Sequence, residues 1–376
     1  MKPGAVYMKQ TTDSGKAEEE FQPVHRLMQR GIADDVFPGG VLLVATGKEI
    51  RFHQSYGVTD RNTCQPVTID TFFDLASLTK SLATTPAVMK LVEQGKLHLE
   101  TTLGTILPEF ASTDKSGIRI RNLLDHTSGL PDWRPYYEVL SGSPQEKGKR
   151  RLLDLLAREP LVHPIGEKTI YSDLGFMVLS RIIEETVGEP VDRFVCRTVY
   201  QPLGIRRLFY PGMVPWPPGW ECAATEECPW REKMLCGEVH DDNAWSTGGV
   251  DGHAGLFGTA RDVHLLLCEL LFAYRGESAT SLFGQSTAKC FLSRSPGSER
   301  ALGFDIPEKA GSSSGTYFSK KSVGHLGFTG TSFWMDLERG AIVILLTNRV
   351  HFGRENIRIR DFRPVLHDAV MVGLSR

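Results

Sequence analysis

Phe72-Phe73-Asp74-Leu75-Ala76-Ser77-Leu78-Thr79-Lys80 is a short apolar segment that leads into a Ser-x-x-Lys tetrad. The residues before Ser77 predict a strand, and the apolar spacing that follows predicts a helix as far as Gln94. Positions i and i+3 lie on one face of a helix, so the Ser77 hydroxyl and the Lys80 amine are expected to meet. A serine hydroxyl becomes a good nucleophile when a neighbouring base takes its proton. The tetrad therefore predicts a nucleophilic centre where strand gives way to helix.

Two further Ser-x-x-Lys tetrads begin at Ser112 and Ser286. Ser112 lies in a polar stretch without rigid support, and Ser286 opens a modest helix with no catalytic group near it in sequence. Ser77 at a helix start would have free backbone N–H groups beside it, which favour developing negative charge. On its own, however, the Ser77 tetrad is better interpreted as a simple helix N-cap.

Strand patterns lie at both ends of the chain, and helical patterns occupy the middle. Residues 41–45 and 50–58 form a predicted hairpin, and residues 331–335 and 341–347 form another. This order predicts an α+β fold, in which one antiparallel sheet from both chain ends is flanked by helices. We expect a discontinuous sheet domain of residues 1–80 and 291–376, a mostly helical domain of residues 81–290, and an active site between them.

Composition and charge exclude several classes of function. The 376 residues are 41% hydrophobic, and 43 basic against 45 acidic residues give a net charge of −2. This balance offers no electrostatic reason to expect nucleic acid or an anionic membrane as partner. No apolar run is long enough to span a membrane. The N-terminus lacks the apolar core of a secretory signal, which predicts a cytoplasmic protein as written, or a periplasmic one if a leader was removed.

The seven cysteines give no disulfide framework, because their number is odd and their spacing irregular. Cys222, Cys228 and Cys236, with His240, invite comparison with a zinc site. Their spacings match none of the common structural zinc sites, so free thiols are the better interpretation. We therefore expect no zinc site at these residues.

Two later motifs bear on Ser77. Tyr171-Ser172-Asp173 follows a Pro-Gly turn and precedes a helix. A tyrosine there could accept a proton if a nearby ammonium lowers its pKa, or it could simply pack on the core while Asp173 caps the helix. Residues 324–330, Gly-His-Leu-Gly-Phe-Thr-Gly, precede a strand. Their N–H groups could serve as oxyanion donors, or the segment could be an ordinary glycine-rich sheet edge.

In this order, the three motifs resemble those of the penicillin-recognising serine hydrolases, whose pattern is Ser-x-x-Lys, Tyr-x-Asn and Lys-or-His-x-Gly. The match is closest to class C β-lactamases, DD-peptidases and their esterase relatives. Residues 123–131, 238–244, 248–260 and 324–331 are similar to further segments of the family. The resemblance covers about residues 20–370 and implies the β-lactamase/transpeptidase-like fold.

The resemblance implies a role for each motif. Ser77 would be the acylated nucleophile, with Lys80 and Tyr171 as its proton partners. The backbone N–H groups of Ser77 and Phe328 would form the oxyanion hole. The implied function is a serine hydrolase that forms an acyl-enzyme on an ester or amide, such as a small molecule or a short peptide, and that needs neither a metal nor an organic cofactor. The alternative is a catalytically weak, penicillin-binding-like sensor or scaffold.

The residues that would contact substrate depart from the family pattern. Asp173 replaces an asparagine, and a carboxylate accepts hydrogen bonds where an amide can donate one. His325 replaces a lysine, and Leu326 replaces a threonine that binds the substrate carboxylate. These changes predict poor β-lactam hydrolysis, with Asp173, His325 and Gly327 still lining the substrate site. Arg349 is either a substitute carboxylate anchor or an ordinary surface charge.

Overall fold

The computed structural model describes residues 20–140, 145–211, 216 and 218–375. Its strands are β1 Gly39–Thr46, β2 Glu49–Asp60, β3 Gln65–Pro66, β4 Phe73–Asp74, β5 Leu208–Phe209, β6 Glu227–Cys228, β7 Lys233–Met234, β8 Phe257–Gly258, β9 Ser322–Leu326, β10 Ser332–Asp336 and β11 Ala341–Thr347. Its α-helices are α1 Gln22–Ala33, α2 Thr85–Glu93, α3 Leu103–Ile106, α4 Ile120–Leu124, α5 Tyr137–Leu140, α6 Gln145–Arg158, α7 Asp173–Val187, α8 Val191–Val195, α9 Asp242–Ser246, α10 Ala260–Arg275, α11 Gln285–Leu292 and α12 Ile359–Leu374.

The main sheet has six strands in the order β3-β2-β1-β11-β10-β9, and every neighbouring pair is antiparallel. At its centre β1 pairs with β11, with Gly40 opposite Thr347 and Thr46 opposite Ala341. The two predicted hairpins are therefore joined through the first and the last strand. The predicted division of the chain near residues 80 and 290 remains a prediction.

The strands alternate between two apolar layers. Leu42 and Val44 of β1 face a core shared with helices α1 and α12. Leu43 and Ala45 face the larger core, which includes α10 and the helices of the middle of the chain. This period of two is what a strand buried on both sides requires. The sheet is thus a middle layer, and β9, at its edge, borders the helical part of the molecule.

The helix expected from Ser77 begins later than the pattern predicts. Residues 75–80 form tight turns with bonds between residues three apart, a wide π-helical turn covers Lys80–Thr84, and α2 starts at Thr85. Pro86 does not kink this helix, since it lies at the second position of α2. Pro86 has no N–H that could donate to the Leu82 carbonyl. This carbonyl instead accepts a hydrogen bond of 2.8 Å from the buried Tyr200 hydroxyl.

Other boundaries shift by a few residues. The helical spacing of apolar residues from Phe21 to Ile32 predicts a helix over residues 17–35. Helix α1 spans Gln22–Ala33, and residues 17–19 lie outside the described part of the chain. The closing helix α12 spans Ile359–Leu374. In the described residues, no helix combines the length and the apolar character that a membrane crossing requires.

Candidate active site

A strained turn presents Ser77 to a cleft of about 610 Å³. Ala76, directly before it, has a φ of +47°, in the left-handed region that side chains other than glycine rarely adopt. The buried Asp74 carboxylate holds this turn, because it accepts bonds from the Ala76 N–H at 2.8 Å and the His240 N–H at 2.7 Å. The turn raises the Ser77 side chain out of the core and into the cleft.

Lys80 is completely buried beside Ser77. Its Nζ lies 3.0 Å from Ser77 Oγ and donates to the His253 backbone carbonyl at 3.1 Å. The same Nζ lies 2.6 Å from Asp173 Oδ1, at the first position of α7. Ser77, Lys80 and Asp173 therefore form a continuous chain of polar contacts.

The surroundings of Lys80 hold it in the ammonium form. Burial lowers the pKa of Lys80, but the Asp173 carboxylate and the Tyr171 phenol oppose burial, and the net pKa is raised. Asp173 is thus placed as a counter-ion to the lysine rather than as a free contact for substrate.

Tyr171 lies against the same lysine. Its ring centroid is 4.9 Å from Lys80 Nζ, and hydrogen bonding from Lys80 and Ser77 favours its ionised form. Burial nevertheless dominates and raises the pKa of Tyr171, with Asp173 adding to the increase. The phenol is therefore protonated at neutral pH. This increase is opposite to the lower pKa that a proton-accepting Tyr171 would need, and the role of Tyr171 stays a prediction.

His126 and Arg300 clamp the tyrosine ring. The His126 ring stacks on Tyr171 at 4.7 Å between centroids, and its Nδ1 accepts a bond from the Ser172 N–H at 2.9 Å. The Arg300 guanidinium lies over the Tyr171 ring at 5.2 Å and pairs with Asp305. Burial, together with Arg300 and Lys80, holds the pKa of His126 well below its usual range, so its ring is neutral.

Two backbone N–H groups face the cleft without a partner. Among the described residues, neither the Ser77 N–H nor the Phe328 N–H donates a hydrogen bond to the protein. Gly327 brings the two segments together: a Cβ there would lie 2.1 Å from Thr331 Oγ1 and 2.7 Å from the Leu75 carbonyl. Only glycine permits so close an approach beside the turn that carries Ser77. That the two N–H groups form an oxyanion hole stays a prediction.

His325 lies behind Leu326 at the edge strand β9. Its Nδ1 donates to the Leu326 carbonyl at 2.9 Å, so Nε2 is left as an acceptor, and this atom is buried without a partner. Burial and the Lys80 and Arg300 charges hold the pKa of His325 well below its usual range. His325 thus borders the cleft as a neutral ring, and it does not replace the positive charge of a lysine.

Asn348 and Arg349 are neighbours in sequence, but their side chains make different contacts. The Asn348 amide accepts from the Gly39 N–H and donates to the Thr59 and Ala224 carbonyls, so it is a structural link. Arg349 lines the cleft, is only 7% exposed, and donates through Nε to the Phe328 carbonyl at 3.0 Å. Arg349 is thus not an ordinary surface charge.

The rival serines lie elsewhere. Ser112 and Ser286 are exposed and outside the cleft, and Lys115 pairs with Asp114 instead of a serine. Within the described parts of the chain, no group of three or more His, Cys, Asp or Glu is arranged to hold a metal ion. Cys228 is buried, and the Cys236 thiol donates to the Cys222 carbonyl at 3.4 Å.

The structure adds site residues that sequence reasoning did not single out. His126 lies within the family-like segment 123–131, which was the one available signal for it. His253 lies within the segment 248–260, and its ring is held by Asp241 at 2.9 Å while its carbonyl accepts from Lys80. Arg300 and Arg363, which also line the cleft, carry no sequence signal.

Comparisons with known proteins agree with this geometry. The family model described as Beta-lactamase matches residues 24–364. A protein of Escherichia coli K12 provisionally named D-alanyl-D-alanine carboxypeptidase is 33% identical, over 90% of this chain and 86% of its own length.

Solved structures show the same fold. EstCE1, described as a hydrolase with promiscuous acyltransferase activity, superposes with a TM-score of 0.73 at 24% identity, over 93% of this chain and 99% of its own. The octameric penicillin-binding protein homologue from Pyrococcus abyssi gives a TM-score of 0.67 at 20% identity, over 90% of this chain and 74% of its own. The predicted α+β, β-lactamase/transpeptidase-like fold is confirmed. The chain belongs to the beta-lactamase family, and it is a hydrolase of the β-lactamase-related serine type.

Proposed function

We propose that the protein hydrolyses an ester or amide bond through an acyl-enzyme on Ser77. The observation that carries this proposal is the contact chain from Ser77 Oγ to Lys80 Nζ at 3.0 Å and on to Asp173 Oδ1 at 2.6 Å. This series of contacts begins at a serine that lies beside two backbone N–H groups, which have no hydrogen-bond partner among the described residues. A nucleophile, a proton path and an oxyanion hole are the three parts that acyl transfer requires.

The charges of the site suggest how the proton moves. As Ser77 Oγ attacks the carbonyl carbon, Lys80 passes a proton to Asp173 and takes the serine proton, so the lysine ends as an ammonium again. The oxyanion is bound by the N–H groups of Ser77 and Phe328. The neutral Tyr171 hydroxyl then donates its proton to the leaving group, and Lys80 reprotonates the phenolate. Water enters and releases the acid by the reverse route.

The substrate is expected to be a small ester or a short D-amino-acid peptide. The carboxypeptidase name of the 33% identical relative supports the peptide class. Arg349, aligned against the Phe328 carbonyl at the cleft wall, is the proposed carboxylate anchor. A neutral His325 and an apolar Leu326 give a β-lactam carboxylate no charge at the edge strand, so cephalosporin turnover is expected to be slow.

The test is to incubate the protein with a short-chain p-nitrophenyl ester, a chromogenic cephalosporin and a fluorescent penicillin. Covalent mass and turnover are followed beside Ser77→Ala, with Ser286→Ala as the matched control. We expect ester turnover that depends on Ser77, and little cephalosporin turnover. Stoichiometric labelling of Ser77 without turnover of any substrate would favour the sensor alternative. Turnover that survives in Ser77→Ala would contradict the proposal.

A further inference from the structure

Most of the charged side chains that line the cleft form ion pairs, and the exceptions are Asp132 and a group of three arginines. The pairs are Asp173 with Lys80, Asp305 with Arg300, Asp241 with His253, and Asp242 with Arg231 and Arg354. Arg349, Arg360 and Arg363 also line the cleft, and among the described residues none of the three forms an ion pair with a carboxylate. Asp132, the lining carboxylate that forms no ion pair, is exposed beside Trp133 on the helical side.

The three arginines line one cleft and lie close enough for the Arg349 charge to act on Arg363 and the Arg360 charge to act on Arg349. Arg349 follows β11, and Arg360 and Arg363 lie in the first two turns of α12, which is 16 residues long. Cations at a helix N-terminus are disfavoured, because the helix dipole places positive charge there. The helix dipole therefore gives no reason for arginine at position 360, in the first turn of α12.

Burial makes the arrangement more costly. Arg363 is only 4% exposed, donates through Nη2 to the Thr331 carbonyl at 2.8 Å, and leaves its Nε without a partner. Burial and the Arg349 charge lower the pKa of Arg363 to about 9. Backbone carbonyls accept bonds from Arg349 and Arg363, but they supply no negative charge. Buried cations are normally paired with an anion, and in the described residues Arg349 and Arg363 form no ion pair with a carboxylate.

We infer that this arginine cluster, defined by Arg349, Arg360 and Arg363, binds a dianionic end of the substrate, of the dicarboxylate class. A single carboxylate would leave two of the three guanidinium charges without a counter-ion, whereas two carboxylates would leave only one. Guanidinium groups suit this role, since they bind carboxylates through paired hydrogen bonds. The inference rests on the proposed hydrolase function, because it specifies the charge of the substrate of that same cleft.

Ligands that share a benzene ring but carry different charges test the inference without requiring catalysis. The full-length protein is titrated calorimetrically at pH 7 with benzamide, benzoate and isophthalate, which carry no, one and two negative charges. We expect affinity to rise in that order. Arg360→Gln, at an exposed position, should weaken isophthalate binding about three- to fivefold. Arg363→Met should weaken it about tenfold or more, because a buried charge-assisted bond is lost.

Arg358→Gln is the matched control, since this exposed arginine lies two residues before Arg360 but outside the cleft, where it donates to the Asp34 carbonyl. It should leave isophthalate affinity unchanged. If Arg363→Met does not fold, Arg360→Gln still decides the question. Equal affinity for benzamide and isophthalate, no binding of isophthalate, or an equal loss in Arg358→Gln would each overturn the inference. Isophthalate binding by a protein that forms no Ser77 acyl-enzyme would instead remove the proposed hydrolase function and leave the anion site standing.

Discussion

Replacing Asp173 by asparagine removes the counter-ion of Lys80 and almost nothing else, because the two side chains have the same shape. Lys80 Nζ and Asp173 Oδ1 are 2.6 Å apart, and Lys80 is fully buried while the Asp173 side chain is 17% exposed. Two unit charges at this distance attract by about 6 kcal/mol at an effective dielectric constant of about 20. Breaking one partner of a buried ion pair typically costs about 3–5 kcal/mol. Since Asp173 is partly solvated, we expect Asp173→Asn to lose about 3 kcal/mol of unfolding free energy at pH 7.

The loss should depend on pH in a defined direction. The folded-state pKa of Lys80 is raised, so its contribution to stability is fully present below the unfolded pKa of about 10.4. That contribution is lost as pH rises through the folded value. The difference in unfolding free energy between wild type and Asp173→Asn, measured by urea titration, should therefore be largest near neutrality and should narrow above pH about 10.

The kinetics of an ester substrate provide the second readout. In the wild type Lys80 keeps one charge across neutral pH, so kcat/KM should be nearly flat between pH 6 and 9. In Asp173→Asn the principal group that raises the pKa of Lys80 is gone, and burial lowers it. Its titration then moves toward neutrality, and kcat/KM should rise with pH. Asp132→Asn, a cleft aspartate that does not contact Lys80, is the control. A flat profile and an unchanged unfolding free energy in Asp173→Asn would refute the reasoning.

Three further substitutions test other parts of the site. Gly327→Ala places a Cβ 2.1 Å from Thr331 Oγ1 and should displace the Phe328 N–H, so kcat for the ester should fall about 10²-fold or more; a change within twofold would argue against the oxyanion hole. Tyr171→Phe keeps the ring but loses the acidic proton, and kcat should fall about 10²-fold or more with little change in KM; an unchanged kcat would remove Tyr171 from the proton path. Asp241 and Asp251 raise the pKa of His253 to about 10 despite burial, so its stabilisation is present below pH about 6.5 and lost toward pH 10. His253→Gln should therefore lower urea stability more at pH 6 than at pH 10, and an equal loss at both would contradict this.

The sequence pattern sufficed for the parts of the fold that local periodicity specifies. The apolar strand patterns of the hairpins at both ends of the chain were enough to predict one antiparallel sheet. The sequence pattern did not predict the π-helical turn at Lys80–Thr84. In this turn the Leu82 carbonyl accepts a hydrogen bond from the Tyr200 hydroxyl, which is more than a hundred residues away in sequence. Only the tertiary structure supplies that donor.

The candidate site divides in the same way. Ser77, Lys80, Tyr171 and Phe328 could be selected because they belong to ordered motifs, and the structure brings them to one cleft. The protonation state of Tyr171 could not be predicted, since it follows from burial. The position of Arg363 in the cleft could not be predicted either, because an arginine in an amphipathic helix gives the same sequence pattern whether it faces solvent or a cleft.

The pairing of β1 with β11 has a consequence for synthesis of the chain. Gly40 meets Thr347, so about 300 residues separate partners at the centre of the sheet. Such long-range pairing is slow, because a large loop must close before the contacts form. While the ribosome is still making the middle of the protein, β1 has one unpaired edge and is open to association with other chains. A nascent chain that stops before residue 341 should therefore bind chaperones or aggregate, even though every residue around Ser77 has already been made.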